Sequence, residues 1–145
     1  MIHNHNELQN GKKVVCGSQE GVLLLYSWGY FKDCSDHFVV HPHSVDALLK
    51  LDEDTVLTGS SDGIIRVVSI LPNKMIGFIG EHNSYPIERL AFSHDRNVLG
   101  SASHDQILKL WDIHYLHEDD EPETNKKLIL SPVELLDLLM LVVMC

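Results

Sequence analysis

Three stretches of this 145-residue chain share one pattern at nearly constant spacing. Residues 16–27 (CGSQEGVLLLYS), 58–69 (TGSSDGIIRVVS) and 98–112 (VLGSASHDQILKLWD) each read as two short strands joined by a tight turn. The turn carboxylate is Glu20 in the first, Asp62 in the second and Asp105 in the third, 42 and then 43 residues apart. A single hairpin of this kind is weak evidence. A period of about 40–45 residues with several strands per unit is far more restrictive. Each unit is then a small sheet that cannot bury its own faces, so it must stack on a neighbour and share a core with it.

The remaining strands fall around these hairpins. Residues 1–12 are polar and read as a loose, disordered leader. Its His3-x-His5 pair has no third ligand spaced to close a metal site. Strands follow at 14–17 and 22–26, and Trp28, Tyr30 and Phe31 come next in a Gly-containing turn region, where they are expected to pack under a loop. Residues 38–40 read as a strand opening the second unit, with further strands at 45–51, 55–59, 64–68 and 75–79. The third unit has strands at 86–92, 98–102 and 107–111 and lacks a fourth.

Composition narrows the function. The chain is 44% apolar, enough for a packed core. Its net charge is −10 with only 11 Lys and Arg, which argues against a surface for nucleic-acid phosphates. The three cysteines, Cys16, Cys34 and Cys145, are widely spaced and odd in number, which fits a reducing compartment rather than a disulfide framework. The N-terminal residues lack the apolar core of a signal peptide. There is no Gly-rich phosphate loop, Gly-x-Ser-x-Gly elbow, HExxH or CxxC pairing. His41-x-His43 is one pair and not a zinc site. No enzyme activity and no cofactor is expected.

The units resemble WD40 repeats, in which a Gly-His pair, a strand ending in Phe-Ser, a Ser-x-Asp turn and a Trp-Asp pair recur. His82, Phe92-Ser93, Ser103-His104-Asp105 and Trp111-Asp112 carry the resemblance in the third unit. In the second, His41, Ser44-Val45 and Ser60-Ser61-Asp62-Gly63 agree, while Val40-His41 stands for Gly-His and Val68-Ser69 for Trp-Asp. The resemblance implies an all-β fold: a partial WD40 β-propeller over residues 13–113, about two and a half blades of four-stranded antiparallel sheet. Propellers close with about four to eight blades, so this length reads as a fragment or truncated isoform.

In such a blade, the loop His can hydrogen-bond the turn carboxylate, and a strand hydroxyl and the indole N–H can extend the network. A buried carboxylate needs such partners. The expected structural clamp is His82, Asp105 and Trp111 with Ser101 or Ser103, plus a partial clamp of His41 and Asp62. Beyond the repeats, residues 114–130 read as an acidic linker containing Glu118-Asp119-Asp120-Glu121. Ser131-Pro132-Val133-Glu134 then caps a short, apolar C-terminal helix over residues 131–145. That helix is too short for a bilayer, which takes about 20 residues; no membrane partner is expected. It either covers the open face of the last blade or is foreign to the family and prone to aggregate.

The resemblance implies a non-catalytic interaction scaffold with protein partners. Within the family, residues 16–21, 57–77 and 101–112 are similar to a nucleolar member. That similarity implies a role in ribosomal RNA synthesis and processing, ribosome-biogenesis factors as partners, and a nuclear, nucleolar place, with the cytoplasm as the alternative for so short a chain. Two other readings are a truncated product with no function of its own and a substrate receptor for a cullin ubiquitin ligase. The latter needs Arg at position 114, where His114 stands.

Overall fold

Alternation fixes which way the strands face. Leu23 and Leu25, and 42 residues later Ile65 and Val67, point to one side of their strands and are buried. The computed structural model describes residues 2–117 and is all-β, with three antiparallel sheets. The first holds β1 (Ile2–Leu8), β2 (Lys13–Ser18), β3 (Val22–Ser27) and β4 (Asp36–Val39). The second holds β5 (Val45–Lys50), β6 (Thr55–Ser60), β7 (Ile64–Ser69) and β8 (Lys74–Glu81). The third holds β9 (Ile87–Phe92), β10 (Val98–Ser103) and β11 (Leu108–Asp112), followed by a 3-10 turn at His114–Leu116. In every sheet the strands lie side by side in chain order.

Five expectations need correction or fall outside this region. The loose leader is instead β1, which pairs with β2 from Leu8 opposite Lys13 to Ile2 opposite Ser18. Strand pairing is made by backbone groups, so a polar sequence does not prevent it. Leu8 is fully buried, and the Asn6 Nδ2 donates to the Leu48 carbonyl of the second sheet at 3.0 Å. Residues 38–40 do not open the second unit: β4 pairs with β3, Phe38 opposite Leu23, and is the outer strand of the first sheet. The sheets therefore hold four, four and three strands. Trp28, Tyr30 and Phe31 are exposed rather than packed under a loop, with the Trp28 and Phe31 rings edge to face at 5.4 Å. The C-terminal helix over 131–145 and most of the acidic linker lie outside the described residues.

The sheets stack through two apolar clusters. Leu8, Val15, Leu23 and Leu25 of the first meet Val45, Val56, Val68 and Ile70 of the second. Leu57, Ile65 and Val67 of the second meet Ile87, Leu90, Leu99 and Ile113 of the third. Each such Leu or Ile stabilises by about 1.5–3 kcal/mol when fully buried. The register repeats as well. Ile2 pairs with Ser18, Val45 with Ser60 and Ile87 with Ser103, each beside a bulge. A Cβ built on Gly17 would stand 2.8 Å from Val45, and one on Gly59 would stand 2.7 Å from Ile87. Glycine at these two points lets the inner strand of one sheet nest against the preceding sheet.

Candidate functional site

In the third sheet the loop before β9 delivers His82, fully buried, to the turn between β10 and β11. Its Nδ1 lies 2.9 Å from Asp105 Oδ2 and its Nε2 lies 2.7 Å from Ser101 Oγ. The Trp111 indole N–H donates to the same Ser101 oxygen at 2.8 Å. A neutral imidazole satisfies everyone when Nδ1–H donates to the carboxylate and Nε2 accepts from the Ser101 hydroxyl. Burial works to raise the Asp105 pKa. The bonds from His82 and the Ile107 N–H outweigh it and hold the carboxyl below its ordinary value. The indole packs so closely against β8 that a Cβ on Gly80 would run into its ring. Lys109 stands over the outer side of Trp111, 5.9 Å from the ring, and donates to the Glu81 carbonyl. Ser103 takes no part in this network; its hydroxyl donates to the Pro86 carbonyl at 2.7 Å.

The second sheet brings its counterparts together differently. His41 and Asp62 do not touch directly, contrary to the partial clamp expected from sequence, because Arg66 lies between them. Its guanidinium meets both Asp62 oxygens, at 3.2 and 2.8 Å, and its Nη1 donates to His41 Nδ1 at 2.6 Å. His41 Nε2 then carries the proton and donates to Thr58 Oγ1 at 2.7 Å. Burial first, and the Arg66 charge second, push the His41 pKa down to about 4 against the opposing pull of Asp62. Burial works to raise the Asp62 pKa, but the Arg66 and Ile64 N–H bonds prevail and the carboxyl is held low. Thr58 and Arg66 were missed in the sequence. Their signal is the period itself, since they stand 43 residues before Ser101 and Lys109.

Both networks consume their polar groups internally and present no nucleophile to solvent. Solvent does reach a cleft of about 430 Å³ across the second and third sheets, lined by Asp46, Pro86, Glu88, Arg89 and His104. His104 Nε2 pairs with Glu88 Oε1 on its wall. Such mixed charge suits hydrogen bonding and ion pairing with a peptide surface. Among the described residues no group of three or more His, Cys, Asp or Glu is placed to hold a metal ion. Both ring nitrogens of His41 are engaged, while His43 is exposed.

Residues 73–112 match the family described as WD domain, G-beta repeat. The chain is 61% identical over 112 residues to WD repeat-containing protein 55 of Arabidopsis thaliana, covering 77% of this chain and 31% of the relative. It is 48% identical to the WD repeat-containing protein 55 homolog of Dictyostelium discoideum, over 79% of this chain and 28% of the relative. Against the Homo sapiens protein of the same name it is 47% identical, over 71% and 27%. The chain thus spans about a third of the length of the curated relatives it matches. Among solved structures, a chain of a mitotic checkpoint complex superposes with a TM-score of 0.67 at 20% identity, over 87% of this chain and 37% of that one. The computationally designed Ika4 protein gives 0.61 at 23% identity, over 77% and 66%. The described residues have the fold of a partial WD40 β-propeller, residues 73–112 match the WD domain, G-beta repeat family, and the chain is similar to WD repeat-containing protein 55.

Proposed function

We propose that this chain is part of a non-catalytic interaction scaffold serving ribosomal RNA synthesis and processing in the nucleolus, with ribosome-biogenesis factors as its partners. The observation that carries this reading is the 61% identity to WD repeat-containing protein 55, together with the nucleolar resemblance of residues 16–21, 57–77 and 101–112. The geometry supports the scaffold half of it. The titratable residues His41, Asp62, His82 and Asp105 are spent on holding loops to strands. The cleft lined by Asp46, Glu88, Arg89 and His104 is left to face a partner.

Depletion of the protein from its source cells, followed by blotting of precursor ribosomal RNA, tests the reading. Accumulation of unprocessed precursor, rescued by a full-length copy, is expected. Normal precursor levels with the protein gone would remove the ribosomal assignment. Affinity capture with wild type and with Glu88→Lys/Arg89→Glu then tests the cleft, because its partners should be lost from the double variant.

A further inference from the structure

The turn between β1 and β2 holds the one Asn-Gly pair in the sequence, Asn10–Gly11. Both residues take left-handed backbone, with φ of 55° and 77°, and the Lys12 N–H donates back to the Gln9 carbonyl at 3.2 Å. Asn tolerates positive φ and Gly adopts it freely, which is why this pair suits a tight hairpin. The same pair is chemically vulnerable. The side-chain carbonyl carbon of an Asn can close a five-membered ring with the next residue's amide nitrogen, and a Cβ on that next residue hinders the approach.

The structure leaves this approach open. Asn10 is exposed, and a Cβ built on Gly11 would meet only Glu7 Oε2, at 3.9 Å. Among the described residues no hydrogen bond holds the Gly11 N–H or the Asn10 side-chain amide. The chain carries its own comparison. Asn83–Ser84 takes nearly the same backbone, with φ of 45° and 66°, and is exposed too. Ser84 carries a Cβ, and its amide nitrogen packs on Gly63 so closely that a Cβ built there would stand 3.0 Å from it. The other described asparagines precede His5, Glu7, Lys74 and Val98, all with side chains in the way.

We propose that Asn10–Gly11 is a site at which the chain modifies itself, with water as the only reagent. The Gly11 amide nitrogen gives up its proton and attacks Asn10 Cγ; a C–N bond forms, the bond to the side-chain nitrogen breaks, and ammonia leaves with the proton. Water then opens the five-membered imide at either carbonyl, giving aspartate at position 10 or isoaspartate, whose main chain runs through the former Cβ. Nothing is oxidised or reduced. The product faces the β5–β6 turn of the second sheet. Asn10 N–H donates to Glu53 Oε2 at 2.5 Å, Gln9 N–H to the Glu53 carbonyl at 3.1 Å, and Gln9 Nε2 to Asp54 Oδ1 at 3.5 Å. Either product brings a new carboxylate up to these two acids, and like charges repel. Isoaspartate also lengthens the main chain, so the bond from Lys12 to Gln9 no longer closes. Modification therefore loosens the clasp between the first two sheets. This inference concerns the chemistry of the turn and stands apart from the ribosomal reading above.

Incubation of folded residues 1–145 at neutral and mildly alkaline pH, followed by peptide mass mapping, tests it. The Asn10 peptide should gain the mass of an amide-to-acid exchange, severalfold faster at the higher pH because the attacking nitrogen must lose its proton. Part of the product should accept a methyl group from S-adenosylmethionine when an isoaspartyl methyltransferase is added. The Asn83 peptide should keep its amide over the same period. Asn10→Gln, which would need a six-membered ring, should stop the exchange with strand-type circular dichroism retained. Asn10→Asp, one product made directly, should lower the urea midpoint, and should lower it less in a Glu53→Gln background. A folded chain that keeps the Asn10 amide while a synthetic peptide of residues 5–16 loses it overturns the proposal, because the turn then protects the pair. Exchange as fast at Asn83 as at Asn10 overturns it too. An Asn10→Asp midpoint equal to that of wild type overturns the loosening of the clasp.

Discussion

The second and third sheets solve one problem with opposite chemistry. Both seat a buried imidazole from the loop before the sheet on a strand hydroxyl, and both tie in a turn carboxylate, directly in the third sheet and through Arg66 in the second. In the third sheet the imidazole N–H donates a hydrogen bond to the carboxylate, and Trp111 completes the network from the side. In the second sheet Val68 stands where the indole would be, and Arg66, two residues earlier on the strand, stands between His41 and Asp62. The guanidinium needs an acceptor, so it takes the lone pair of His41 Nδ1 and drives the proton to Nε2. The comparison teaches that the seat of the imidazole on a strand hydroxyl is kept while the tautomer and the charge around it are not. One network is neutral donors around a single carboxylate; the other is an ion pair with a neutral imidazole appended.

The differences can be pressed experimentally. His82→Ala removes a fully buried ring whose two nitrogens hold Asp105 and Ser101, and leaves both without their main partner. Thermal or urea unfolding should show a loss of about 4 kcal/mol. Acid should act through the second sheet. The His41 pKa lies below its unfolded value, so the folded state resists a proton that the unfolded chain accepts. Stability from this group is complete above about pH 6.5, falls as the pH drops and is fully lost near pH 4, a change of about 3 kcal/mol. Arg66→Met should flatten that slope, because the cation no longer opposes the imidazolium. The Asp62 and Asp105 carboxyls, both held low, add a further loss as the pH falls through their own range.

Smaller effects separate two glycines of β8. Gly80→Ala drives a methyl into the Trp111 ring and should cost about 1–3 kcal/mol in urea unfolding, while Gly77→Ala, with nothing within 4 Å of the new Cβ, should be close to neutral. Trp111→Phe keeps the ring but deletes the N–H bond to Ser101 and should cost about 1 kcal/mol. If Trp111→Phe proves as damaging as His82→Ala, the indole is doing more than extending the network and the contrast between the sheets must be redrawn.

Much of this was legible in the sequence, and unevenly so. The 42- and 43-residue spacing of Glu20, Asp62 and Asp105 locates the hairpins, and the Gly/Ser-rich turns give their ends. His82, Asp105 and Trp111 carry a recognisable pattern because direct contacts between them need those residue types. Arg66 carries none, since a charged residue on a strand reads as solvent-facing until its neighbours are known. β1 was hidden for a related reason. It lies on the inner side of the first sheet, held by backbone pairing and by Leu8 and Asn6, and too few apolar residues alternate along it to be read as a strand. The fate of β4 turned on register. Residues 36–40 look like a strand on either side, and only the pairing of β4 with β3, from Val22 opposite Val39 to Leu25 opposite Asp36, assigns them to the first sheet.

The side-by-side order of the strands has a kinetic meaning. Every hydrogen-bonded ladder within the three sheets joins segments that are neighbours along the chain. Closing such short loops costs little chain entropy, and the cost grows only logarithmically with loop length. Each sheet can therefore zip up from its own turn without waiting for a distant segment, as local contacts favour fast folding. What remains non-local is the stacking of one sheet on the next, where Gly59 meets Ile87 and Gly17 meets Val45.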